Sequence, residues 1–104
     1  MDAFELIREE LSQAELLAQL AEEAVELAHA ALKLRRVYDG TNPTPVKRSE
    51  AFDNLKEEIA DVQLLMCVLD LNWNDPVYSR IATDKLKRWV HRLKTKEEVM
   101  EDGK

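Results

Sequence analysis

Glycine and proline are nearly missing from this chain, at two and three residues among 104. With so few breakers, and with Ala, Leu, Glu and Lys abundant, helix is favoured nearly throughout. The single cysteine, Cys67, excludes an intrachain disulfide and suits a reducing compartment. Within Leu64-Leu65-Met66-Cys67-Val68-Leu69 it reads as a small buried apolar residue. No apolar run approaches the ~20 residues that span a bilayer. The start, Met1-Asp2-Ala3-Phe4-Glu5, lacks the basic opening and apolar core of a signal peptide. The expectation is a soluble, cytoplasmic protein without a membrane partner. Basic charge is also in deficit, 15 Lys and Arg against 21 Asp and Glu. The net charge of −6 argues against general nucleic-acid binding. It does not argue against one nucleotide held through a metal. The 45% hydrophobic content fits a globular chain, and the length fits one domain with a modest core.

The punctuation that does exist divides the chain into helices. A short helix is expected over residues 3–11. Ser12-Gln13-Ala14-Glu15 matches a capping box opening a long helix to about Tyr38. Leu17, Leu20, Ala24, Leu27, Ala31 and Leu34 repeat at alternating spacings of three and four, a packing seam beside which Glu23 and Glu26 would lie. Asp39-Gly40-Thr41-Asn42-Pro43-Thr44-Pro45 breaks this helix. The next is expected from about Ser49 to Leu71 and to end at Asn72-Trp73-Asn74. Asp75-Pro76 reads as an N-cap with proline at the first helical position, opening a last helix to about Lys96 with a frayed tail over 97–104. The fold class is all-α, a helical bundle built on an antiparallel hairpin, with the domain core over about 12–93.

Two acidic pairs interrupt the apolar helices: Glu23-Ala24-Val25-Glu26 and Glu58-Ile59-Ala60-Asp61, preceded by Glu22 and Glu57. Residues three apart share a helix face, roughly 5–6 Å between Cβ atoms. Each pair can therefore aim two carboxylates at one point. A solvated helix usually offsets Glu with a base four residues on; here those positions hold Glu26, Leu27, Asp61 and Val62. Glu26 lies ~12 residues before the end of its helix and Glu58 ~9 after the start of the next, about 18 and 14 Å at the helical rise. An antiparallel hairpin sets the two pairs near one level. Four carboxylates on facing helices make the oxygen-rich site that a hard cation such as Mg²⁺ prefers. The bland alternative is a solvated acidic edge.

Glu-Glu-x-x-Glu followed by Glu-x-x-Asp on paired helices resembles the MazG-like branch of the all-α nucleoside triphosphate pyrophosphohydrolases, over roughly residues 12–93. Lys85-Leu86-Lys87-Arg88-Trp89 is similar to the basic segment after that family's second motif. The resemblance implies an enzyme that cleaves a nucleoside or deoxynucleoside triphosphate to monophosphate and pyrophosphate with Mg²⁺, or Mn²⁺ in its place. By position, Glu23, Glu26, Glu58 and Asp61 would be the metal ligands, and Glu22 a neighbour that orients ligands or water. One of Glu22, Glu23 and Glu26 would take the proton of the attacking water.

Lys85, Arg88 and Arg92 fall at i, i+3 and i+7 on the last helix and are candidates for the outer phosphates, against a plain solvated basic face. Leu86, Trp89, Val90 and Leu93 form its packing face, with Trp89 expected in the core. In the loop, Asn42, Thr41 and Thr44 offer hydrogen bonds to a base or sugar, and Lys47 or Arg48 a phosphate contact; Trp73 could stack on a base. Glu26-Leu27-Ala28-His29 is the Glu-x-x-His of di-iron carboxylate bundles, but a second such motif is missing. A helical adaptor without catalysis would leave the unpaired acids unexplained. The 59–71 stretch is apolar around most of its circumference, and Leu16, Val25 and Leu32 lie off the long helix's seam. A homodimer or higher homo-oligomer that pairs two hairpins into a four-helix core would cover them, and the resemblance implies nucleotide pockets near such a contact.

Overall fold

The structure is a computed structural model that describes residues 1–41, 46–71 and 74–102, the last five of these as backbone only. Among the described residues it is all-α. The helices are α1 (Ala3–Glu10), α2 (Gln13–Asp39), α3 (Arg48–Val68) and α4 (Pro76–Asp102). The chain's packing falls into two compact units, Met1–Leu71 and Asn72–Lys104.

The helix ends follow local chemistry. Asp2 caps α1, its carboxylate accepting the Glu5 amide at 2.8 Å. The capping box expected at Ser12 is present: the hydroxyl accepts the Glu15 amide at 3.1 Å and the Glu15 side chain reaches back to the Ser12 amide. Gly40 closes α2 in the left-handed conformation, φ 75°, with its amide on the Arg36 carbonyl. At Gly40 an added Cβ would meet nothing within 4 Å, so Gly40→Ala carries backbone strain alone. That strain should cost about 1–2 kcal/mol in urea denaturation.

α3 starts at Arg48 and ends at Val68, short of the expected Leu71. The reason is Asp70, which adopts φ 60° and turns the chain while Leu71 N–H donates to the Met66 carbonyl at 2.8 Å. Asp70→Gly should therefore stabilise the fold by up to about 1 kcal/mol in the same assay. Trp73 lies outside the described residues. Asp75 accepts the Val77 amide at 2.9 Å, as an N-cap before Pro76 should. α4 continues past Lys96 to Asp102, so the frayed tail expected from Glu97 is helical to that point.

Within the first unit α2 and α3 pack as an antiparallel hairpin: Leu16, near the start of α2, clusters with Leu65 and Val68 at the end of α3. Ile7, Leu11, Leu20 and Leu69 close around this cluster. Arg8 of α1 donates to the Val68 carbonyl at 3.2 Å, satisfying one of the orphan acceptors at the α3 terminus. At the hairpin's other end Arg48 stacks over the Tyr38 ring, 4.5 Å to the centroid.

The buried seam differs from the expected one. Leu16, Ala30 and Leu34 are buried and Leu20, Glu23 and Leu27 half-buried, whereas Leu17, Ala24 and Ala31 are exposed. The seam is 16-20-23-27-30-34, sharing Leu20, Leu27 and Leu34 with the expected set. The matching seam is Ala51, Leu55, Glu58, Val62 and Leu65 of α3, continued by Leu69 at its C-cap. Cys67 falls off this line and is exposed, against the expectation of burial. Trp89 is 60% exposed rather than core.

Candidate functional site

Each seam of the hairpin is interrupted by one acid, Glu23 on α2 and Glu58 on α3, and the two interruptions meet. Carboxylate oxygens of Glu23, Glu58 and Asp61 lie within 4.8 Å of one another. Glu23 and Glu58 are half-buried because they occupy seam positions; Asp61, one turn on from Glu58, stands at the exposed rim. Among the described residues no basic side chain lies within ion-pair distance of any of the three, and the ion pair present is Arg35 with Asp39, at 4.0 Å. Glu58 carries the electrostatic consequence. Partial desolvation pushes its carboxyl above its ordinary value, and the charges of Asp61, Glu23, Glu26 and Glu57 push the same way.

Of the four expected ligands, the fold thus brings three together. Glu26 is exposed and lies outside the group of three, although its charge is felt at Glu58. The hairpin register sets Glu23 rather than Glu26 level with Glu58. Glu22 is exposed, beside Glu23 in sequence and off the seam. His29 is exposed and joins no group of three potential ligands among the described residues, so the di-iron reading gains no ligand from it. Lys85, Arg88 and Arg92 are exposed on α4, in the second unit, where the helix holds them on one stripe. Asn42 and Thr44 lie outside the described residues. Thr41 bonds to Asp39 through both amide and hydroxyl, which holds the Asp39 carboxyl below its usual range. Arg48 is engaged with Tyr38.

Three carboxylates from two helices suit a hard divalent cation. Opposite ligands of an octahedral Mg²⁺ at ~2.1 Å are about 4.2 Å apart. The observed spread of up to 4.8 Å needs only a small side-chain adjustment to reach that. The donor set, all oxygen and anionic, fits Mg²⁺ or Mn²⁺ better than a softer ion. What sequence reasoning missed is that Glu23 and Glu58 are themselves seam residues. The signal was available: 16-20-23-27-30-34 has the same alternation as the apolar set, with one Glu in it.

No protein-family model matches this chain, and no curated protein or solved structure shows significant similarity to it. Among the described residues no helix is long and apolar enough to cross a membrane.

Proposed function

We propose that this protein is a Mg²⁺-dependent nucleoside triphosphate pyrophosphohydrolase of the MazG-like kind, converting an NTP or dNTP to the monophosphate and pyrophosphate. The observation that carries the reading is the meeting of Glu23, Glu58 and Asp61 without a basic partner among the described residues. Placing two acids inside an apolar seam destabilises a fold unless a cation binds between them. The motif resemblance supplies the reaction.

Glu23, Glu58 and Asp61 would hold the cation, with Glu26 adding negative charge one turn along α2. Bound Mg²⁺ supplies phosphate-charge neutralisation and a more acidic water. The chain's own part is to position the triphosphate and accept a proton. Glu22 and Glu23 are the carboxylates suited to that transfer, since a base must lie within hydrogen-bond reach of the water. Lys85, Arg88 and Arg92 would meet the outer phosphates, Arg offering a bidentate fork. Asn42 is a candidate for the base or sugar. The protein would act as a homodimer in the cytoplasm, a second copy covering apolar side chains such as Leu64, 54% exposed, and Val25, 52% exposed.

Incubation with a nucleotide panel and Mg²⁺ tests the activity. Pyrophosphate plus monophosphate is expected; phosphate plus diphosphate would redirect it, and no turnover would favour an adaptor. Arg88→Ala should weaken triphosphate binding about tenfold while changing monophosphate binding little, measured by calorimetry with Ca²⁺ in place of Mg²⁺. Equal affinities in both proteins would return Arg88 to a solvated role.

A further inference from the structure

Charge is divided sharply along this chain. Residues 76–96 carry seven basic side chains against the single acid Asp84, a local charge of +6. Residues 1–75 carry seven basic against sixteen acidic, a local charge of −9. The other acids of α4 begin at Glu97, after the last of its bases, Lys96. The basic stretch is also amphipathic. Tyr78, Ala82, Leu86, Trp89 and Leu93 succeed one another at helical spacing and, with Val90, fill a sector about 120° wide and about 22 Å long. Leu86, Trp89 and Leu93 in this sector are 58, 60 and 53% exposed. Val77 and Ile81 fall outside it, near the start of the helix.

The edges of the sector are cationic. Lys85, Arg92 and Lys96 lie within about 40° of it on one side, and Lys94 and Lys87 within about 60° on the other. Their long aliphatic stems carry the charge past an apolar layer to whatever borders it. Thr83, at the Val90 edge, donates its hydroxyl to the Ser79 carbonyl at 2.8 Å, so it is satisfied within the helix. Tyr78 and Trp89 add rings with one polar atom, suited to a boundary between apolar and polar layers.

These edges limit what can cover the sector. A second α4 would set bases against bases. On α2 the acids Glu15, Glu22 and Glu26 lie roughly 140–180° round the helix from the exposed Leu17, Ala24 and Ala31, so that face offers apolar area without anionic edges. A polynucleotide offers phosphates without an apolar layer. A bilayer with anionic headgroups offers an apolar layer edged by negative charge.

We infer that α4 lies on anionic lipid surfaces, with Leu86, Trp89 and Leu93 in the acyl boundary and the flanking bases at the headgroups. No helix among the described residues can cross a bilayer, but a helix in the interface plane needs only one apolar side. The expectation of no membrane partner holds for crossing alone. The inference goes beyond the nucleotide reading and does not rest on it, since Leu86, Leu93, Lys87 and Lys94 have no part in that reading.

The test uses the full chain carrying Trp73→Phe, which leaves Trp89 as the sole tryptophan. Trp89 emission and sedimentation with vesicles are followed for two compositions, pure phosphatidylcholine and equal parts phosphatidylcholine and phosphatidylglycerol. Blue-shifted emission and co-sedimentation are expected with the anionic vesicles, at least tenfold weaker with the neutral ones. Raising salt from about 0.05 to about 0.5 M should weaken anionic binding at least tenfold. Lys87→Glu with Lys94→Glu should do the same at low salt. Equal binding to both vesicle types, or binding to neither, would overturn the inference. So would emission that is blue-shifted before vesicles are added and unmoved by them, since protein would then cover the stripe. Should Trp73→Phe fail to fold, sedimentation of the unaltered chain against Leu86→Asp gives the second readout. Leu86 is exposed, so Leu86→Asp should keep the helical circular dichroism and lose binding at least tenfold. A folded Leu86→Asp chain that sediments like wild type would refute the contact. None of these readouts involves nucleotide, so their failure leaves the pyrophosphohydrolase reading standing.

Discussion

Glu58→Gln and Asp61→Asn should each lower nucleoside triphosphate turnover by more than about tenfold while leaving the helical fold intact. Each removes one anionic oxygen ligand from the group of three that α2 and α3 bring together, yet neither side chain has a basic partner among the described residues whose loss would unsettle the fold. Stability separates this from a structural role. In EDTA, Glu58→Gln should be as stable as wild type at neutral pH, or more so. The Glu58 carboxyl sits above its ordinary value of 4.5, raised first by desolvation and then by Asp61, Glu23, Glu26 and Glu57. A raised carboxyl means the folded state holds its proton more tightly than the unfolded chain does. Its stabilising contribution is therefore full below the unfolded value and is lost as pH rises through the folded one. Wild type in EDTA should lose that component as pH rises from the ordinary value of 4.5 through the raised one, and Glu58→Gln should lack it. Thermal melts across this range report the difference. A mutant that turns over at the wild-type rate would remove the metal-site assignment, and a mutant clearly less stable in EDTA would make Glu58 a structural residue.

Leu16→Ala should have the largest effect on stability, about 2–5 kcal/mol in urea denaturation. Leu16 is 3% exposed and, with Leu65 and Val68, forms the buried cluster that joins α2 to the end of α3. Single domains are stabilised by only about 5–15 kcal/mol, so this change should unfold a measurable fraction of the protein at 37 °C. Its neighbour supplies the control. Leu17 is 48% exposed, and Leu17→Ala should cost distinctly less in the same assay. The reverse order would restore the seam through Leu17, Ala24 and Ala31.

Helix content and most helix ends were legible in the sequence because they depend on residues close together. Ser12 and Glu15, Asp75 and Pro76, and Gly40 act within one turn, and each does in the structure what its position implies. The end of α3 was not legible, since Asp70 takes a left-handed conformation that no local apolar pattern announces. The pairing of acids was legible as well: spacing put two carboxylates on one face of each long helix, and the hairpin followed from the break after Asp39.

Only the tertiary structure decided which face of α2 turns inward. Two seams compete there, 17-20-24-27-31-34 and 16-20-23-27-30-34, and a count of apolar residues favours the first. The fold takes the second because Leu16 completes a cluster with Leu65 and Val68, contacts distant in sequence. That choice carries Glu23 into the seam opposite Glu58, leaves Glu26 outside, and exposes Leu17, Ala24 and Ala31. Periodicity can state that a helix has an apolar face. Which of two nearly equal faces is buried depends on how the side chains of another helix fill the space against it.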